Sequence, residues 1–262
     1  MSALEATAGP GHAVRRTLAQ VRFDTVTVLR NGEQLLVTLV IPVLVLLGLH
    51  RLEALDLPAA AGAGRLPAAL AGALALAVAS SAFTSPAIQL TFDRRWGVLR
   101  MLATTPLGPT GLLAGRLGAV FVVLIVQVAV LVGVAAVAGG GPLTGAGFGI
   151  GPALAALWLV LGGAGALLGL GVIIGGTLRP EAVLALANTL WAVLAAIGGL
   201  VLPTSAAPGP LAAVLPFTPT GALGDGLRAA IVDGVVDAPA LVVVAVWAVV
   251  LGAIAARVVK WD

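Results

Sequence analysis

The chain has 262 residues, 60% of them hydrophobic and only 10% charged, where a soluble domain carries about 25% charged residues. That excludes a water-soluble globule, and the lack of cysteine excludes disulfides, cysteine-ligated zinc and a thiol nucleophile. The net charge of +3 comes from arginines and the single Lys260; set beside apolar blocks, they read as topology signals at membrane surfaces and not as a nucleic-acid footprint.

The first thirty-four residues hold no apolar run, so no cleavable signal peptide is expected and the N-terminus is expected to stay in the mature protein. Val14–Arg30 reads as an amphipathic helix. Val14, Leu18, Val21 and Val28 fall near one face, with Arg15, Arg16, Gln20, Arg22 and Asp24 mostly elsewhere. Such a helix lies in the headgroup plane, and a plain interfacial anchor is its simplest role.

Six blocks almost free of charge follow: Leu35–Leu49, Leu66–Leu90, Leu117–Ala138, Gly149–Leu178, Ala182–Leu202 and Ala240–Ala256. A helix needs about 20 apolar residues to cross the hydrocarbon core. The middle four meet this; the first and last borrow flanking residues. Only helices satisfy every backbone polar group over such lengths, and the alternation of a β-barrel is missing. The fold expected is therefore an all-α membrane protein, a single permease-like domain over residues 1–262 with six transmembrane helices.

The cations orient it. With the N-terminus in the cytoplasm, the inside segments hold Arg15, Arg16, Arg22, Arg30, Arg94, Arg95, Arg100, Arg116, Arg179, Arg257 and Lys260. Arg51, Arg65 and Arg228 lie outside. Eleven against three is a positive-inside bias, so both termini are expected to be cytoplasmic.

Between the second and third spans the chain reads TFDRRWGVLRMLATTPLGPT, residues 91–110. Asp93 can cap a helix whose Val98, Leu99, Met101 and Leu102 supply an apolar side, and Thr104, Thr105 and Pro106 stop it. This predicts a short charged helix over 93–105, on the cytoplasmic side. It is either a basic loop that holds topology or a docking helix for a partner. In the fourth block, Gly162, Gly163, Gly165, Gly169 and Gly171 permit close helix packing, with a gating hinge as the alternative. Arg179 and Glu181 mark the next cytoplasmic turn, as a local pair or as a contact for a partner.

Residues 203–237 form the one long outside loop, and it is unusually apolar. Leu211–Leu215 and Thr220–Ile231 read as two short helices broken at Pro216 and Pro219. A re-entrant hairpin closing the outer end of a pathway and an outer-leaflet anchor are the two readings.

Chemistry is sparse. No P-loop pattern is present, so ATP is not bound in that way. Gln127 and Asn188 are the only strongly polar side chains well inside the blocks, so ion-coupled transport lacks its usual midplane charges. His50, Glu53 and Asp56 form a local exposed group that reads as an interface turn, and no metal or cofactor site is expected. No catalytic constellation gathers at one depth. Trp158, Trp191 and Trp247 lie within spans; Gln127, Trp158, Asn188 and Trp191 are candidate pathway-lining residues, with helix packing or lipid contact as the plainer reading.

The 93–105 segment resembles the permease subunits of type-2 ATP-binding cassette (ABC) exporters, the group that includes drug-resistance and polysaccharide export permeases. The resemblance rests on Asp93-Arg94, Gly97, Leu99, Leu102 and Thr105-Pro106-Leu107, with Gly115-Arg116 opening the third span. Arg95 and Arg100 stand where glutamates are common, and Val98 replaces a frequent threonine. The resemblance implies a six-helix permease paired with a second copy or a paralogue in the cell membrane. Each half would dock a separate ATPase through the N-terminal helix and through Asp93, Arg94, Arg95, Gly97, Leu99, Leu102, Thr105 and Pro106. The chain would perform no bond chemistry, and its cargo would be a hydrophobic or amphipathic compound such as a drug or lipid. A stand-alone channel or carrier, and a membrane-embedded lipid- or cofactor-processing protein, are the competing readings.

Overall fold

The computed structural model describes residues 10–32, 36–51, 65–103, 107–139 and 149–258, and every regular element among them is helical. We number the helices α1 Pro10–Arg30, α2 Ile41–Arg51, α3 Arg65–Arg95, α4 Val98–Ala103, α5 Gly108–Gly139, α6 Ile150–Thr177, α7 Pro180–Ile197, α8 Leu211–Val214, α9 Pro219–Arg228 and α10 Ala238–Val258. Five of them (α3, α5 from Ala114, α6, α7 and α10) are long and apolar enough to cross a bilayer. The apolar helix over Thr38–Arg51 is shorter and begins with a wide π turn at Leu36–Val40.

The fifth predicted block ends sooner than expected. α7 stops at Ile197, and residues 198–202 are irregular because Gly198 and Gly199 break the ladder, Gly199 at φ +85°. The third helix starts earlier than expected, at Gly108.

α3 is the central post, buried over most of its apolar stretch, with α2, α5, α6 and α9 around it. Its run Ala68-Ala69-Leu70-Ala71-Gly72-Ala73 is small on every side, and a helix that is apolar all round belongs inside. A π turn at Ser80–Thr84 widens the helix just before Pro86, whose ring would otherwise collide with the carbonyl four residues back. At 31 residues α3 is about 46 Å long, more than the roughly 30 Å of a hydrocarbon core.

α6 packs against this post through small residues. A Cβ on Gly171 would lie 2.7 Å from the carbonyl oxygen of Phe83, and one on Gly175 would collide with that of Ala87. Here the glycine-rich run serves close packing.

Between the spans, Gln127 is 1% exposed. Its amide oxygen accepts from Ser81 Oγ at 2.8 Å and its amide nitrogen donates to the Thr38 carbonyl at 2.6 Å. One side chain thus ties α3, α5 and the turn before α2, and both halves of its amide are occupied.

At the end of the bundle away from Asp93, the predicted hairpin is a packed structure. Pro219 begins α9 instead of breaking a helix: Thr218 caps it, accepting from the Gly221 N–H at 3.1 Å, and proline fits the first helical position. Thr220–Leu227 is buried against α3, α6 and α10, apart from half-buried Asp225. Arg228, only 6% exposed, donates to the Gly199 and Leu200 carbonyls at 3.0 and 2.8 Å and to Asp225 at 3.0 Å. Asp225 also accepts from the Thr204 N–H at 3.1 Å and from its hydroxyl. The guanidinium therefore satisfies carbonyls of the irregular segment that follows α7. Trp247 of α10 donates to the Phe217 carbonyl at 2.8 Å, closing the same corner.

Candidate functional site

The arginine-rich end of the bundle is organised by three consecutive residues in the last turn of α3. Successive residues on a helix point about 100° apart, so neighbours in sequence face different partners. Asp93 pairs with Arg116 of α5. Arg94 donates to the carbonyls of Gly175 and Leu178 at 3.1 and 3.5 Å, at the end of α6. Arg95 pairs with Glu181 in the first turn of α7 at 3.0 Å. One helical turn thus reaches three spans.

The three links differ in strength. Arg116 is 8% exposed and Asp93 25%, so that pair is shielded from screening. Arg94 places a cation at a helix C-terminus, where unpaired carbonyls and the helix dipole favour it. Arg95 and Glu181 are both mostly exposed, which makes theirs the weakest of the three. The local pair expected between Arg179 and Glu181 is replaced by this longer-range one.

Asp93 does not cap the next helix, as the sequence suggested. It sits inside α3, which runs to Arg95. Trp96 stacks on Phe92, ring centres 5.1 Å apart, and its N–H still bonds the Phe92 carbonyl at 2.9 Å. Gly97 then takes φ +74°, a left-handed conformation that side chains disfavour, and turns the chain into α4. The predicted 93–105 helix is therefore two pieces with a glycine corner between them.

α4 is short and sided. Leu99 is 3% exposed and packs with Leu90, Leu112, Leu168, Val172 and Ala255. Trp96 and Met101 are about 70% exposed, at 70% and 72%, and Arg100 is exposed beside them. Leu99 roots the helix, while Arg100 and Met101, and Trp96 just before the glycine corner, are exposed. Thr105 and Pro106 lie outside the described residues, as does the side chain of Leu102.

α1 packs against the start of α5. Gln20 and Val21 cover Gly115 and Gly118, positions where a Cβ would collide with them. Val21, Asp24 and Val28 face inward, whereas Val14 and Leu18 are exposed, so the apolar face expected from the sequence is split between protein and surroundings. Asp24 accepts from Gln20 Nε2 at 2.9 Å. Burial raises the Asp24 carboxyl above the ordinary aspartate range, against the opposing pull of the Gln20 hydrogen bond and of Arg116. A cavity of about 30 Å³ separates Asp24 from Arg116, walled by Thr38, Ser81, Ser85 and Gln89. α1, α3 and α5 thus meet around two carboxylates and one guanidinium.

The four candidate lining residues are not brought together. Gln127 is inside the bundle. Trp158 is half exposed on α6, its Nε1 donating to the Leu241 carbonyl at 3.4 Å. Asn188 is exposed on α7, and Trp191, one turn further, is half-buried against the core. Glu53 and Asp56, named beside His50, lie outside the described residues, among which no group of three metal-ligating side chains gathers. Sequence reasoning missed Asp24 as a partner of this end, and the Arg228–Asp225–Thr204 network entirely. Arg228 stood out only as a lone cation in an apolar loop.

Long apolar helices around a buried post, with charge held at the ends, define an all-α membrane protein. Residues 56–257 match the ABC-2 family transporter protein family, and the chain belongs to it. It is accordingly a membrane permease component of an ABC transporter, of the kind that works with an ABC ATPase. No curated protein and no solved structure matches the chain.

Proposed function

We propose that the chain is the permease subunit of an ATP-driven exporter in the cytoplasmic membrane, with both termini in the cytoplasm. α1 and α4 form the surface that a separate ATPase engages, and a second copy or a paralogue completes the pathway. The cargo is a hydrophobic or amphipathic compound, a drug or a lipid.

The observation that carries this reading is the fan of Asp93, Arg94 and Arg95 at the root of α4. A force on the exposed face of α4 passes through Leu99 and the glycine corner into that turn. From there it reaches α5, α6 and α7 through three polar links. Tightly packed interiors transmit such displacements instead of absorbing them. The excess of arginine at this end favours the cytoplasmic assignment, and the apolar span interiors favour a cargo without charge.

The test is co-purification with the candidate ATPase, followed by transport-coupled ATP hydrolysis in liposomes. Substituting Arg94→Ala, Gly97→Ala or Leu99→Ala is expected to weaken coupling at least tenfold. Unchanged complex formation and unchanged coupled hydrolysis in all three overturn the docking role. Gradient-driven flux through the pure chain, with no ATPase, overturns the exporter reading in favour of a channel or carrier.

A further inference from the structure

A second polar feature lies at the arginine-rich end, on the far side of α3 from the Asp93–Arg116 pair. A cleft of about 410 Å³ opens between the last turn of α3 and the turn joining α6 to α7. Its walls are Thr91, Arg94, Arg95, Arg179, Glu181 and the Thr177–Leu178 edge. We propose that this cleft binds the headgroup of an anionic phospholipid from the surrounding leaflet.

Charge comes first. Three guanidinium groups face one carboxylate, Glu181, which Arg95 already engages at 3.0 Å. The balance is positive. Arg94 is braced against the Gly175 carbonyl at 3.1 Å, so its position is set before any ligand arrives. Arg179, exposed at the rim, carries the charge most available to a phosphate. α7 begins here, with Arg179 extended at ψ 152° and Pro180 in the first turn, so its open N–H groups and dipole add to the positive field.

Depth and shape then select the ligand. α6 ends at Thr177 and α7 starts at Pro180. With 18 residues, about 27 Å, α7 is barely long enough to cross the hydrocarbon core, so its start beside the cleft falls at the layer that headgroups occupy. Basic pockets between membrane helices at this level suit anionic lipid heads. The wall continues as apolar surface: Leu178 at the rim is 37% exposed, and Leu184, one turn along α7 from Glu181, is 36% exposed. A polar cleft joined to an apolar groove fits a phosphate carrying acyl chains better than a free anion or an acidic peptide. This inference goes beyond the exporter reading and does not depend on it.

The test uses the full purified chain in detergent, with native mass spectrometry after adding equal dioleoyl phosphatidylglycerol and dioleoyl phosphatidylcholine. Preferential retention of phosphatidylglycerol is expected. Arg179→Gln should lower that preference about fivefold, the effect of one cation beside an anionic surface. Glu181→Gln, which removes the opposing charge, should raise it. Arg257→Gln, an exposed cation outside the cleft, should leave it unchanged.

Equal retention of both lipids, or equal losses in Arg179→Gln and Arg257→Gln, overturns the proposal. Complete displacement by millimolar inorganic phosphate would mean that the site takes free phosphate, and the lipid assignment falls. If Arg179→Gln and Glu181→Gln alter assembly with the ATPase and leave lipid preference untouched, the cleft is a protein contact and the proposal also falls. The opposite signs expected for Arg179→Gln and Glu181→Gln separate a local effect from general loss of folding.

Discussion

Asp93 accepts a hydrogen bond from Arg116 Nη2 across the gap between the last turn of α3 and the start of α5. The two residues are twenty-three positions apart and stand at either end of the segment that carries α4. The pair therefore closes the base of a loop and holds the roots of its two long helices at one spacing.

Breaking this pair should be costly because Arg116 is nearly buried. Asp93→Asn leaves the guanidinium only Asp24, across the small cavity, as a counter-charge, a loss of about 3 kcal/mol for a largely buried pair. Arg116→Gln should cost less, since Asp93 retains some solvent contact. The double variant is expected to recover part of the loss, with a coupling of about 1–2 kcal/mol in a double-mutant cycle. Thermal unfolding in detergent measures it. Strict additivity would mean that the pair contributes nothing.

Asp24 gives the same corner a pH dependence. Its carboxyl is raised above the ordinary value of 3.8, chiefly by burial. The folded state therefore holds the proton more tightly than the unfolded chain. Between 3.8 and the raised folded value, the folded protein binds more protons, so stability falls as pH rises through that window. Above it, ionised Asp24 is a standing cost. Asp24→Asn should thus raise the melting temperature at neutral pH and flatten the melting profile on the acid side. An unchanged profile would show that Asp24 does not titrate in that window.

At the other end of the bundle, Arg228 makes bonds that no other side chain can replace. It joins α9 to the carbonyls after α7 and to Asp225. Arg228→Lys keeps the charge but loses the planar fork, and Arg228→Ala also removes the cation paired with Asp225, which keeps only its bonds from Thr204. The expected order of stability is wild type, Lys, then Ala, with the Ala variant about 3 kcal/mol below wild type. Trp247 reports the corner directly, because its indole donates to Phe217. A shift of its emission in Arg228→Ala at a temperature where α3 remains folded would show that α9 detaches first.

Most spans were legible because apolar block length is a direct physical requirement of the bilayer: five of the six predicted blocks hold a helix long enough to cross, and the first holds the shorter Thr38–Arg51. Their ends were less so. Asp93 looked like a cap because it precedes an apolar turn, but α3 continues through Arg95 on the strength of contacts with α5, α6 and α7. Those contacts join residues 23, 81 and 86 positions apart, a separation that local pattern does not encode. Gln127 read as a polar residue facing a pathway, since sequence alone does not reveal that Ser81 and Thr38 stand opposite it. Pro219 read as a breaker because its role at the start of α9 depends on Thr218 acting as the cap. The glycine run in α6 was correctly a packing surface, and the partner it packs against, Phe83 to Ala87, became visible only in three dimensions.

α4 permits stability and docking to be separated. Leu99 is buried, so Leu99→Ala should destabilise the chain by about 2–3 kcal/mol through lost packing. Gly97→Ala forces a side chain into a left-handed corner, at about 1–2 kcal/mol. Trp96 and Met101 are exposed, so Met101→Ser should leave the melting temperature within about 1 °C of wild type. Its effect should fall on the ATPase instead. Loss of an exposed apolar contact at a docking surface weakens association by about 1–2 kcal/mol, roughly tenfold in affinity. Titrating the ATPase against the permease in nanodiscs reads this directly. If Met101→Ser binds as tightly as wild type while Leu99→Ala and Gly97→Ala bind weakly only in proportion to their unfolding, α4 serves the fold alone. If Met101→Ser loses affinity at full stability, its outward face is the contact.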